Sequence, residues 1–144
     1  MKLSAEEKAH LEELYQKYLH DDKVKRMIEV PMHRGSNCFL HSFRVARLCI
    51  KRAQRHKHVN YEVLLVGAIL HDYYLYDWRK NRELRKKHGH NHPMIAARKA
   101  KEDVGISDEV SKIIETHMWP INFRKFPKTK EARILMNADT DIAT

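Results

Sequence analysis

The stretch AILHDYYLYDW, residues 68–78, places a histidine and an aspartate at the end of an otherwise apolar run. The residues before it are also apolar and follow Asn60, a common helix N-cap, which predicts a central buried helix. On that helix Leu64 lies two turns before His71 and Asp72, so both polar side chains should face the core. A carboxylate buried without a partner is very costly. A metal ion would supply the missing positive charge.

The remaining sequence predicts further helices. N-cap residues and prolines bound them at residues 4–20, 21–30, 38–54, 93–104, 107–118 and 131–144. In the fourth of these, Pro93 is expected at the first helical position, directly after His92. No stretch alternates with period two. We therefore expect an all-α fold, a single compact bundle of about six to seven helices, forming one domain over residues 1–144. Residues 1–32 would supply N-terminal helices and residues 33–144 the core of the site.

Charge and cysteine content narrow the class of protein. The 144 residues carry 28 Lys and Arg against 19 Asp and Glu, a net charge of +9, which favours anionic partners. Cys38 and Cys49 form no CxxC motif, and no signal-like or membrane-length apolar run is present. The sequence predicts a cytoplasmic protein with two reduced thiols and no membrane association.

Polar residues interrupt apolar faces on three other segments, and His92 lies at a predicted helix start from which its side chain could turn toward the same centre. His41 precedes Val45 by one helical turn, His117 follows Ile114 by three residues, and Asp139 follows Leu135 by four. Each of these histidines, taken alone, is better explained by an ordinary hydrogen bond in the core or at the surface. Considered together with the adjacent His71 and Asp72, the set indicates a metal site.

The order of these residues carries a family resemblance. The series His41, His71-Asp72, His92, His117, Asp139 resembles the H…HD…H…H…D signature of the HD-domain superfamily of metal-dependent phosphohydrolases. The segments HSFRVA, AILHDYYLYDW, HGHNHP, THMWP and NADTDIAT are similar to those of small bacterial HD-domain proteins. The resemblance covers roughly residues 33–144. Such proteins usually continue beyond the final aspartate, so whether the chain is truncated after Thr144 stays open.

The resemblance implies a division of the candidate ligands into two sets. The core ligands of one metal would be His41, His71, Asp72 and Asp139. A second metal would add His92 and His117. His88 is an alternative to His92 as a ligand, because HGHNH offers three histidines in five residues. If His88 is not a ligand, we expect it to bind the substrate. One ion or two stays an open question at this stage.

Mixed imidazole and carboxylate ligands suit a divalent transition metal better than calcium, and we expect two such ions. Iron, manganese, zinc, cobalt and nickel are not distinguishable. In a two-metal site Asp72 is the natural bridging and catalytic residue, beside a hydroxide that attacks phosphorus in line. The expected reaction is hydrolysis of a phosphate ester or anhydride.

Cationic residues flank the candidate ligands. His33 and Arg34 precede His41, and Arg79 follows the His71-Asp72 pair, so all three are expected to bind substrate. The charge run at residues 82–87 is better explained as a solvated surface, and the tyrosines after Asp72 as part of the core. INFRKFPKTK, residues 121–130, has basic and aromatic residues but no regular motif, so we do not expect nucleic acid as a partner.

Three functions compete. A phosphohydrolase acting on a nucleotide or similar small phosphorylated metabolite explains both the candidate ligands and the positive charge. A di-iron oxygenase-type HD protein is an alternative, because fold does not fix the reaction. A non-catalytic metal- or nucleotide-binding HD module is another. The identity of the substrate and the oligomeric state are left undetermined.

Overall fold

The computed structural model describes residues 3–32 and 35–143. These residues contain α-helices and no β-strand, as predicted. The helices in this part of the chain are α1 (Ala5–Leu19), α2 (Asp22–Lys25), α3 (Cys38–Ala53), α4 (Tyr61–Leu70), α5 (Arg82–Val104), α6 (Asp108–Glu115) and α7 (Lys130–Ala143). A short 3-10 helix, Arg26–Glu29, continues α2.

Several helices begin at the capping residues that the sequence indicates. Ser4 and Glu7 form a reciprocal capping box at the start of α1, which satisfies two backbone N–H groups. The side chains of Asn37, Asn60 and Ser107 accept hydrogen bonds from the first turns of α3, α4 and α6. These local bonds explain why the starts of α1, α3, α4 and α6 are predictable from sequence.

Helix α4 lies at the centre of the bundle. All seven residues from Leu64 to Leu70 are buried, and α4 packs against α3, α6 and α7. A helix that is apolar all round must be surrounded by protein, because any face turned to water would expose apolar surface. The prediction of an all-α bundle around a buried central helix is confirmed.

The ends of α4 and α6 differ from the prediction. Helix α4 ends at Leu70 and α6 ends at Glu115, so His71, Asp72 and His117 lie in the turns that follow rather than on the helices. In each turn a histidine Nδ1–H donates to a backbone carbonyl three residues earlier. That bond satisfies a carbonyl at the helix end and so favours termination there.

The start of α5 also differs from the prediction. The helix begins at Arg82 with Asn81 as its N-cap, so Pro93 and His92 lie inside it and not at its start. Proline lacks the N–H that would bond to the carbonyl of Gly89, but good helix formers at residues 82–87 extend the helix on the N-terminal side. The exposed charge run is thus a solvated helix face, and not a loop at the mouth of the site.

Gly67 allows a close approach between α4 and α6. A methyl group at this position would overlap Cδ1 and Cγ1 of Ile113, which is itself buried. The contact lies one turn before His71 on α4 and one turn before His117 after α6. It therefore sets the distance between the two turns that carry these histidines.

We expect Gly67→Ala to destabilise the fold by about 1–3 kcal/mol, because the added methyl group overpacks a buried contact. Gly89→Ala is the matched control, since a methyl group at that helical glycine meets Ile121 only at ordinary van der Waals distance. Urea denaturation of both variants measures the difference. Equal stability of Gly67→Ala and the parent chain would contradict this account of the α4–α6 contact.

Both cysteines are buried and free. Burial raises the pKa of the Cys49 thiol to about 12, which keeps it protonated and unreactive at neutral pH. Within residues 3–32 and 35–143, no helix combines the length and apolar character needed to cross a membrane.

Candidate metal centre

Six polar side chains from five segments meet beside the C-terminal end of α4. Helix α3 supplies one, the turn after α4 two, α5 one, the turn after α6 one and α7 one. They are His41, His71, Asp72, His92, His117 and Asp139. All six were candidate ligands in the sequence, and the structure brings all six together.

Four of these residues form the first group, which is His41, His71, Asp72 and Asp139. Oδ1 of Asp139 lies 2.7 Å from Nε2 of His41 and 3.1 Å from Nε2 of His71. Oδ2 of Asp72 lies 3.5 Å and 3.2 Å from the same two nitrogens. Donor atoms about 2.1 Å from one ion would be separated by about 3.0–3.4 Å. The four donors are thus spaced like one coordination shell.

The second group shares Asp72 with the first and adds His92 and His117. Oδ1 of Asp72, the oxygen that does not face the first group, lies 3.4 Å from Nε2 of His92 and 3.5 Å from Nε2 of His117. Asp72 therefore presents one oxygen to each group. This is the arrangement that a carboxylate bridging two cations requires.

Backbone hydrogen bonds fix the tautomers of three histidines. The Nδ1–H groups of His71, His92 and His117 donate to the carbonyls of residues 68, 88 and 114, each at 2.6 Å. A carbonyl oxygen can only accept, so the proton must be on Nδ1 and the lone pair of the neutral ring on Nε2. Second hydrogen bonds of this kind orient histidines that bind metals.

One contact fits poorly without a cation. Nε2 of His92 lies 3.0 Å from Nε2 of His117, and both nitrogens carry lone pairs when the rings are neutral. Two lone pairs facing each other in a buried site repel, and a shared positive charge removes the repulsion. Because Oδ1 of Asp72 faces the same point, this set of donor atoms fits a metal ion.

The electrostatics of the cluster favour positive charge between the carboxylates. Burial lowers the pKa of His71, but the charges of Asp72 and Asp139 outweigh burial and raise it well above the usual range. Burial raises the pKa of Asp72, yet His71 and His117 hold it well below the usual range. Burial is the main reason that the pKa of His117 is lowered. The cluster thus favours ionised carboxylates beside a neutral His117.

Of the predicted substrate residues, only Arg79 and His88 fall within the described part of the chain, and neither belongs to the two groups of the cluster. His33 and Arg34 lie outside the described residues. Arg79 is exposed, and its Nε donates to Oδ1 of Asp77 at 3.4 Å. His88 is half-buried and stacks on His92 with ring centroids 4.4 Å apart. His92, and not His88, therefore lies within reach of Asp72.

The aromatic residues that follow Asp72 are mostly structural. Tyr73 and Tyr74 are fully buried, which agrees with the preference for the core that the sequence indicated. The ring of Tyr74 packs edge-on against His88 and His92, with centroids 4.8 Å and 5.5 Å apart. Its hydroxyl accepts a hydrogen bond from the thiol of Cys38 at 3.2 Å. Tyr74 thus helps to fix the orientation of the His92 ring through this edge-on contact.

Sequence reasoning missed the backbone partners of the histidines. Their signal is local, since each carbonyl belongs to a residue three or four positions before the histidine. Spacing of this kind occurs in any helical segment, so it becomes informative only once the rotamer is known.

Comparison with known proteins agrees with the geometry. The family model of the HD domain matches residues 38–143, a span that contains all six residues of the cluster. No curated protein and no solved structure matches the chain significantly. Since the match covers well over half of the sequence, the chain belongs to the HD-domain family.

Proposed function

We propose that this protein is a metal-dependent phosphohydrolase that cleaves a phosphate ester or anhydride in a nucleotide or similar small phosphorylated metabolite. The observation that carries the proposal is the shared carboxylate of Asp72, with one oxygen toward each of two groups of Nε2 atoms. Membership of the HD-domain family supports the same reaction class.

In this proposal the two groups hold two ions. His41, His71 and Asp139 would hold the first together with Asp72, and His92 and His117 would hold the second. Imidazole and carboxylate donors favour Fe, Mn, Zn, Co or Ni over calcium. When bound, such ions generate a nucleophile from water at neutral pH and neutralise charge on the phosphoryl group.

The side chains of the site supply orientation and exclusion of water. The Nδ1–H bonds of His71, His92 and His117 direct each Nε2 toward the centre. The side chains of His71 and His117 are 0% exposed, which keeps bulk water away from this side of the cluster. A dry site strengthens the interaction of the fixed dipoles with charge that develops on the phosphate.

Exposure indicates where a substrate would approach. The side chain of Asp139 on α7 is 13% exposed, the largest value among the six, and that of His41 on α3 follows at 7%. We therefore infer that the phosphate reaches the site from the side on which His41 and Asp139 are exposed. The net charge of +9 would attract an anionic substrate to the protein as a whole.

The experiment is a phosphate-release screen on metal-stripped protein reloaded with one transition metal at a time. The panel consists of nucleotides, dinucleoside polyphosphates, cyclic dinucleotides and alarmones. A separate assay of nuclease or phosphodiesterase activity detects cleavage that releases no free phosphate. We expect hydrolysis of at least one member, absent without metal and restored on reloading.

The alternatives give different results in the same preparation. Binding of metal and nucleotide without turnover would support a non-catalytic module. Oxygen consumption that depends on iron would support an oxygenase. Either result, with no hydrolysis across the panel, would overturn the proposed reaction.

A further inference from the structure

Helix α5 must hold His92 in place although the first turns of the helix are exposed. Residues 82–87 are exposed, and Pro93 directly after His92 leaves the carbonyl of Gly89 without its usual helical N–H donor. Besides the ring of Tyr74, contacts farther along α5 must therefore help to set the position of His92 along the bundle.

One face of α5 supplies these contacts. Residues 92, 96, 99 and 103 follow one another at intervals of four, three and four, so they lie on the same side of the helix. Ala96 is fully buried, and its small side chain permits a close approach. The other three side chains all contact the turn that follows α4.

Each of three consecutive residues in that turn meets one residue of this face. Oδ1 of Asp72 lies 3.4 Å from Nε2 of His92. The hydroxyl of Tyr73 donates to Oδ2 of Asp103 at 2.8 Å. The ammonium of Lys99 donates to the carbonyl of residue 74 at 2.7 Å.

Asp103 is itself held from the other side. A guanidinium nitrogen of Arg26 lies 2.7 Å from Oδ2 of Asp103 and donates to the hydroxyl of Tyr73 at 2.5 Å. Lys23 donates to the backbone carbonyl of Asp103 at 2.9 Å. The C-terminal end of α5 is therefore tied both to the turn after α4 and to the N-terminal helices.

We propose that Asp103 and Lys99 are positioning residues that fix the register of α5 and so hold His92 in the second group of the metal centre. A shift of one residue along a helix moves a side chain by about 1.5 Å and turns it by about 100°. Metal–ligand distances tolerate only about 0.2 Å. The first group contains no residue of α5, so a change of register would weaken the second group selectively.

This inference rests on the two-ion site of the proposed function, but its test measures metal binding and not hydrolysis. Co²⁺ is titrated into metal-free protein, with visible absorption and equilibrium dialysis as readouts. In Asp103→Ala, Tyr73→Phe and Lys99→Met we expect the weaker of two Co²⁺ affinities to fall by about 10-fold or more, the usual effect of losing a supporting contact. The tighter Co²⁺ affinity, which we assign to the first group, should stay within about 2-fold of the parent value. No residue of the first group lies on α5.

Matched variants separate positioning from general stability. Asp108→Ala removes the ion pair of Lys101 with Asp108, which joins α5 to α6 without touching the turn after α4. It should leave both Co²⁺ affinities unchanged. Asp103→Asn keeps a hydrogen-bond acceptor for Tyr73 and should restore most of the weaker affinity. Tyr73→Phe should add little to Asp103→Ala, because both remove the same bond.

The remaining outcomes count against the proposal. Equal loss of both affinities, in step with the melting temperature, would make Asp103 and Lys99 merely structural. Unchanged binding in all three variants would also overturn it. A parent chain that binds a single Co²⁺ overturns it too, whereas the phosphate-release screen judges the proposed reaction independently.

Discussion

Asp72→Asn should lose hydrolysis by about 1,000-fold or more, since about 1,000-fold is the upper range for removing a single preorganised hydrogen-bonding group from an active site. Asp72 alone belongs to both groups of the centre and gives one oxygen to each. Asparagine keeps the size of the side chain but removes its charge and replaces one oxygen with an N–H donor. That donor would face Nε2 atoms at which the proposal places an ion.

Initial rates with a substrate from the phosphate-release screen measure this loss. Asp141→Asn is the matched control, because this exposed aspartate lies on α7 two residues after Asp139 and pairs with Arg52 at 2.6 Å. The control should retain normal activity. Circular dichroism checks that the Asp72 variant is still helical. Near-normal rates in a folded Asp72→Asn protein would exclude the proposed use of this carboxylate.

His117→Ala should reduce bound metal from near two ions per chain toward one. Among residues 3–32 and 35–143, His117 is one of three that supply donors to the second group, and its Nε2 faces that of His92 at 3.0 Å. Its removal leaves His92 and one oxygen of Asp72, too few protein donors for tight binding of a transition ion. The first group keeps all four of its residues.

Elemental analysis of the parent and variant proteins gives the metal content per chain. His10→Ala controls for loss of a histidine, since His10 is exposed on α1 and its nearest charged partner is Glu62 at 3.8 Å. A value near one in both the parent chain and His117→Ala would show that His117 is no ligand. His92 and His117 would then be candidates for binding the substrate phosphate.

Four segments of the cluster were visible in the sequence because His41, His71 with Asp72, His117 and Asp139 interrupt apolar helical patterns, whereas His92 was named from its place in the family signature. His41 and Asp139 lie on helices that the pattern predicts, so their direction follows from spacing alone. The central helix was equally clear, since its apolar residues leave no polar face. Apolar periodicity is a local property of the sequence, so it predicts which helix face is buried without knowledge of the whole fold.

Other features depend on contacts that spacing does not encode. The ends of α4 and α6 are set by side-chain bonds from His71 and His117 to backbone carbonyls, which compete with continued helix. The start of α5 was missed because residues 82–87 carry charge without an apolar stripe. The bond of Tyr73 to Asp103 spans thirty residues and has no counterpart in the local pattern.

The glycine contact between α4 and α6 bears on redesign of the centre. Gly67 and Ile113 are in contact, and each lies four residues before its histidine, His71 or His117. The separation of the α4 and α6 backbones therefore depends on residues other than the candidate ligands. New side chains at positions 71 or 117 would thus be introduced without a change in the distance between α4 and α6. Donors at positions 71 and 117 could then be exchanged to change the metal preference, while a larger residue at position 67 would increase the distance between the two helices.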